Sequence, residues 1–198
     1  MNKGGLVKKA ILILTVLVLV SGLNAQTAKF LAGFNLSNYH STVIDPKPET
    51  KLGFWGGAGL EWGSENLIGE VDILYFQKGA KAVIAGVPTE YTLTEILVPL
   101  MVRFKFMPNT SPFIFAGGEV GYVISYKAVA NNLSIDARDD VKAWDYGLVF
   151  GAGMEIWIGE VAITAEGRYH YGLAQMGEEG GLEFKTNSIA ILLGLIFY

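Results

Sequence analysis

The sequence predicts an all-β chain: an eight-stranded antiparallel up-and-down transmembrane β-barrel with short periplasmic turns and long extracellular loops. Three observations carry this expectation. Apolar and polar residues alternate with period two through most of the chain, and the segments that join these runs alternate between long and short. The chain is 51% hydrophobic and only 17% charged, yet beyond its N-terminal segment no apolar run approaches the roughly 18–20 residues of a membrane helix.

The N-terminal segment, "MNKGGLVKKAILILTVLVLVSGLNAQ", opens with Lys3, Lys8 and Lys9, continues with an apolar run over 10–20 and reaches a small residue at Ala25. This is the pattern of a secretory signal peptide over 1–25, leaving 26–198 as the barrel domain. Leu23 stands where a smaller residue is usual, and cleavage after Ala25 is the expected cut. Cleavage removes three of the 15 Lys and Arg and none of the 19 Asp and Glu, moving the net charge from −4 to −7. Such a chain is a poor partner for nucleic acid. Cysteine is absent, which excludes disulfides, thiolate metal sites, cysteine nucleophiles and a lipoprotein anchor. Any attachment to a membrane must then come from the fold.

Each strand follows from the alternation of its side chains. In 29–39, Phe30, Ala32, Phe34 and Leu36 oppose Leu31, Gly33, Asn35 and Ser37. In 52–62, Leu52, Phe54, Ala58, Leu60 and Trp62 oppose Gly53, Trp55, Gly57, Gly59 and Glu61, and in 67–78 Val71, Ile73 and Tyr75 oppose Glu70 and Asp72. In 92–106, Ile96, Val98, Leu100, Val102, Phe104 and Phe106 oppose Glu95, Arg103 and Lys105. Pro99 interrupts this run and marks an expected bulge, which leaves the facing of 101–105 open. In 112–127, Ile114, Val120, Tyr122, Ile124 and Tyr126 oppose Glu119 and Ser125. In 144–157, Trp144, Tyr146, Leu148, Phe150, Ala152, Met154 and Ile156 form one apolar face opposite Asp145 and Glu155. The parity switches after 158–159, so Glu160, Thr164, Glu166, Arg168 and His170 share the polar face of the next strand. The last strand, 186–198, is apolar on both faces.

The connections 40–51, 79–91, 128–143 and 174–185 are long, whereas 63–66, 107–111 and 158–159 are short. Lipid surrounds a transmembrane barrel, so the charged faces turn inward, where eight strands leave room only for side chains. The expected lumenal acids are Glu61, Glu70, Asp72, Glu95, Glu119, Asp145, Glu155, Glu160 and Glu166, set against Arg103, Lys105 and Arg168, with His170 among them. Outward aromatics fall into two interfacial belts: Tyr75, Tyr122, Tyr126, Trp144, Tyr146, Tyr169 and Tyr171 near the long loops, and Phe30, Trp62, Phe104, Phe106 and Tyr198 near the short turns. A soluble barrel would reverse the faces, but its outer coat would be glycine-rich and sparsely charged.

The stretches "KFLAGFNLSNY", "SPFIFAGGEVGYVISYK", "DYGLVFGAGMEI", "AEGRYHYGL" and "ILLGLIFY" resemble the small outer-membrane β-barrel proteins of Bacteroidota, the PorT-like barrels. The resemblance spans nearly the whole mature chain and rests on a diffuse strand grammar with no catalytic motif. It implies residence in the outer membrane and insertion by the barrel-assembly machinery, with the aromatic C-terminal Tyr198 as assembly signal.

Chemical motifs are thin. The histidines are His40 and His170, and the nearest lumenal serine to His170 is Ser125, two strands away. A lipid-modifying barrel enzyme would need such a pair in contact, whereas a histidine in a polar core is more often a satisfied structural group. The acids outnumber the bases in the lumen, which admits a narrow cation-selective channel or a polar plug; the small bore favours the plug. In the third loop Asp136, Asp139 and Asp140 cluster, and in the fourth Glu178, Glu179 and Glu183. Neither cluster has the spacing of a calcium loop. The second loop, "AVIAGVPTEY", is apolar enough to fold over the mouth or dock another protein. The expectation is a non-enzymatic barrel without a cofactor: structural, adhesive, or accessory to a secretion or surface complex. Its expected partners are outer-membrane lipids, the assembly machinery and a surface or secretion-complex protein reached through the loops.

Overall fold

The computed structural model describes residues 27–40, 48–84, 86–107, 110–131, 133–177 and 184–197. The expected signal peptide, the assembly residue Tyr198 and the loop acids Glu178, Glu179 and Glu183 lie outside the described residues. The strands are β1 (Thr27–His40), β2 (Glu49–Gly63), β3 (Leu67–Ile84), β4 (Val87–Lys105), β5 (Ser111–Ala130), β6 (Leu133–Asp136), β7 (Trp144–Ile158), β8 (Val161–Gly172) and β9 (Lys185–Phe197). All except β6 build a closed antiparallel barrel, in which each strand pairs with the next and β1 pairs with β9. The short β6 adds to the upper part of β5, above the point where β5 leaves β7. Closure gives each of the eight barrel strands two hydrogen-bonding neighbours, the condition for β structure in lipid.

The connection from β7 to β8 is two residues long because Gly159 takes a positive φ of 69°, a conformation that suits the tight hairpin turns. Gly86, at φ 80°, does the same between β3 and β4.

The alternation sets inside from outside. Phe34 and Ile191 are 65% and 69% exposed, whereas Asp72, Glu95 and Arg103 are wholly buried. An apolar exterior around a charged interior is the inversion that a lipid solvent demands. The apolar inner face of β9 also has a place: Ala190 and Leu192 pack with Leu31, Trp55, Leu74, Phe76 and Leu97. The inner face of β9 thus joins an apolar cluster drawn also from β1, β2, β3 and β4.

Four expectations need correction. β3 and β4 run on to an Ile84–Val87 pair, so the second loop is a hairpin that continues the two strands, with Ala80 and Tyr91 at its base packed in the apolar cluster at the mouth. Pro99 introduces no bulge: Glu95, Leu97, Pro99, Met101, Arg103 and Lys105 all bury inward in strict alternation. The bulge lies on β5, where Thr94 pairs with Ser125 but Glu95 pairs with Val123, leaving Ile124 over. One extra residue reverses parity, so Tyr126, expected in the outer belt, turns inward and is 6% exposed. Glu160 stands in the β7–β8 turn and faces solvent, because the inward row of β8 begins at Ala162.

Candidate functional site

Six strands aim their inward charges at one level in the half of the lumen nearest the short turns. Parity points them there: Lys29 from β1, Glu61 from β2, Glu70 and Asp72 from β3, Arg103 and Lys105 from β4, Glu155 from β7, and Glu166 and Arg168 from β8. Arg168 donates to Asp72 at 2.8 Å, to Glu70 at 3.0 Å, and through Nε and Nη2 to Glu166 at 2.9 and 2.8 Å. Arg103 reaches Glu70 at 2.5 Å, Glu61 at 3.0 Å, Glu166 at 3.1 Å and Glu155 at 3.4 Å. Lys29 hydrogen-bonds Glu70, and its ammonium is 3.5 Å from Asp72 and 3.6 Å from Glu61. Lys105 pairs with Glu155, which also accepts from Trp157 Nε1 at 2.6 Å. The guanidinium of Arg103 lies over Phe113 at 4.3 Å, and that of Arg168 over Phe115 at 5.3 Å and Trp55 at 5.4 Å. Two guanidiniums can bridge this many carboxylates because each presents several donors in a planar fork. Five acids meet four bases here, so the layer nearly neutralises itself.

A second, smaller cluster lies nearer the long loops. Lys78 is 2.7 Å from Glu95 and 3.0 Å from Asp145, and Thr186 donates to Asp145 at 3.1 Å. His170 Nδ1 meets Glu119 at 2.7 Å, and its ring packs on Phe76 at 4.8 Å. The structure therefore brings together every lumenal charge expected except Glu160, and adds two that were missed. Lys29 and Lys78 are 0% and 2% exposed; both share the parity of the charged face, but each sits at the end of its expected strand. Ser125 lies half-buried at the β5 bulge, and the partner of His170 is Glu119. His40 ends β1 and is exposed. Among the described residues no group of His, Asp and Glu is arranged to hold a metal ion.

Above both clusters an apolar core closes the mouth. Tyr39, Leu93, Val123 and Tyr126 from the wall meet Val141, Ala174, Met176 and Phe184 from the third and fourth loops, all of them buried. Phe184 stacks on Tyr39 at 4.4 Å, and Met176 N donates to Phe184 O at 2.9 Å. Arg138 ties the third loop to the wall by donating to Val123 O at 3.1 Å and Val141 O at 3.0 Å. Ion pairs below and apolar packing above thus occupy the bore, and among the described residues His170 pairs with Glu119 and with no serine.

Comparison with known proteins agrees with this architecture. A sequence model of the family described as "Outer membrane protein beta-barrel domain" matches residues 21–177. No curated protein matches the chain. Among solved structures, OprG of Pseudomonas aeruginosa is similar at a TM-score of 0.54 and 10% identity, covering 87% of this chain and 95% of that one. Neisserial surface protein A gives 0.49 and 12%, covering 86% and 96%. Outer membrane protein W of E. coli gives 0.48 and 10%, covering 88% and 98%.

Proposed function

The chain belongs to the outer membrane protein beta-barrel domain family and resides in the outer membrane, and from that premise we propose that it is a non-enzymatic barrel with a closed lumen. Its role is structural or adhesive, or accessory to a secretion or surface complex. The observation that carries this reading is the occupation of the bore at three heights: an ion-pair lattice, the Lys78 cluster, and an apolar seal of Tyr39, Tyr126, Met176 and Phe184. A cation path would have to cross that seal, whose described side chains are apolar or aromatic and replace none of the hydration of the ion. What the barrel displays outside is the β3–β4 hairpin and the β5–β6 pair, on which Val83, Val129, Leu133 and Ile135 are 37–65% exposed. Apolar side chains grouped above a membrane suit contact with another macromolecule.

Planar-bilayer recording of the refolded barrel at neutral pH tests the closed lumen. The expected record is flat at voltages where open porins conduct. Reproducible cation-selective steps would overturn the reading in favour of a channel.

A further inference from the structure

The seal described above leaves an opening on its outer side. Val141 pairs with Gly177, and Lys142 N donates to Met176 O at 2.8 Å, but the β7–β8 ladder proper begins only at Gly147 and Gly172. Just above that point Leu173 N and Ala174 N both turn onto Tyr146 O, at 3.0 and 3.2 Å. The two segments therefore bow apart over a few residues, and a cleft of about 590 Å³ opens between them, lined in part by Lys142, Trp144, Tyr146, Leu173 and Lys185. Its volume falls within the range of small-ligand sites, about 300–1,000 Å³.

The height of the cleft says what it faces. On β7 the outward row runs apolar from Ile158 up to Tyr146 and Trp144, and Lys142 follows. On β9 it runs apolar from Phe197 up to Ile189, and then Asn187 and Lys185 follow. On β8 it ends at Tyr171 and Leu173. All three strands change character at one level, the outer membrane–water interface, where aromatic residues mark the headgroup zone. Trp144 is 50% and Tyr146 54% exposed on this surface. Directly above them stand two ammonium groups with no carboxylate partner among the described residues. Lys142 and Lys185 lie on the outward side, exposed and half-buried, whereas Asp145, close to Lys142 in the chain, is buried on the inward side.

We propose that this cleft binds the phosphate-bearing headgroup of an outer-leaflet lipid. Lys142 and Lys185 hold the phosphate from above, and Trp144, Tyr146 and Leu173 cover the first carbons of the acyl chains below. Each lysine can donate charge-assisted hydrogen bonds to a phosphate oxygen. A soluble anion would use the lysines but leave the aromatic floor facing bulk lipid; a lipid headgroup uses both. The inference does not depend on whether the lumen conducts.

Native mass spectrometry of the refolded barrel in detergent tests it. The probes are diphosphoryl lipid A, the same lipid with both phosphates removed, and inorganic phosphate. The wild-type barrel should retain one diphosphoryl lipid. K142Q with K185Q should weaken retention roughly 30-fold, at about fivefold for each lysine near a charged membrane surface. The dephosphorylated lipid should bind both proteins at the weaker level, and K81Q on the β3–β4 hairpin should leave retention unchanged. Both lysines lie at the rim of the cleft, and heat-modifiable gel mobility checks that each variant remains folded. Equal retention by wild type and the double variant overturns the proposal, as does equal retention of the two lipids. Displacement of the lipid by millimolar inorganic phosphate also overturns it, because it identifies a free-anion site.

Discussion

Replacing Arg168 with Met keeps the length of the side chain and removes its charge from the centre of the lattice. Arg168 donates to Asp72, Glu70 and Glu166, and these acids do not lose equally. Glu70 keeps Lys29 and Arg103, and Glu166 keeps Arg103 and the Thr164 hydroxyl at 3.0 Å. Asp72 loses its hydrogen-bond donor and, among the described residues, retains only the Lys29 ammonium at 3.5 Å. Breaking a buried ion pair by removing one partner costs about 3–5 kcal/mol. The lost stacking on Trp55 and Phe115 adds about 0.5–2 kcal/mol at a desolvated site. The rescue should follow the orphaned acid: Asp72→Asn in the same chain should recover about 1–3 kcal/mol, the cost of an unsatisfied buried group. Glu166→Gln should recover less, because its other donors remain. Urea unfolding of the refolded barrel in lipid vesicles, for the three single and two double variants, gives each coupling energy. An Arg168→Met loss below about 1 kcal/mol, the scale of a solvent-screened pair, would refute the dry lattice. Equal rescue by both acid changes would refute the assignment of Asp72 as the orphan.

The lipid-facing Leu148 and Ala165 should each lose about 2–4 kcal/mol of folding free energy in vesicles when changed to Arg at mid-bilayer. The inward Thr164→Ser, which keeps the hydroxyl, should lose less than about 1 kcal/mol, and equal tolerance at all three would refute the facing. Gly151→Ser is not a mild inward change as its parity alone suggests, since a Cβ there would lie 2.0 Å from Gly167 O and 2.6 Å from Phe115; it should unfold the barrel at lower urea than Thr164→Ser does. An epitope inserted after Gly86 should be labelled on intact cells and one after Ser64 should not, and the reverse pattern would invert the topology. Met176→Ala combined with Phe184→Ala should speed proteolysis of the third and fourth loops without producing bilayer current, because the ion pairs beneath still occupy the bore; current from this variant would place the only barrier at the seal.

The strands, their facing and nearly all the lumenal acids were legible in the sequence because period two is set by the backbone and inverted by lipid. Lys29 and Lys78 carried the same signal and were lost at strand ends, where a side chain's row can be read but its burial cannot. The β5 bulge had no marker: Ile124 is neither Gly nor Pro, and the extra residue shows only against its partner strand. Pro99 was the visible marker and proved quiet. The β3–β4 register runs Val71 to Leu100 and then Leu74 to Leu97 with no offset, so the proline interrupts the ladder without shifting it. The seal could not be read because Val141, Ala174, Met176 and Phe184 lie in connections without a period, and only the closed barrel brings them together.

The lattice joins distant parts of the chain: Arg168 meets Glu70 and Asp72 across 98 and 96 residues. Contacts of such sequence separation form late, after the intervening chain has been ordered. Before β8 arrives the acids of β3 lack one of their cations, and an ion without its partner holds on to water. The interior is therefore wet while the strands enter the membrane and dries only when β8 joins β3 across the lumen. On this ordering the ion pairs do not draw the barrel together. They act as a latch on a finished cylinder, so a chain truncated before β8 should insert, if at all, as a hydrated and readily extracted intermediate.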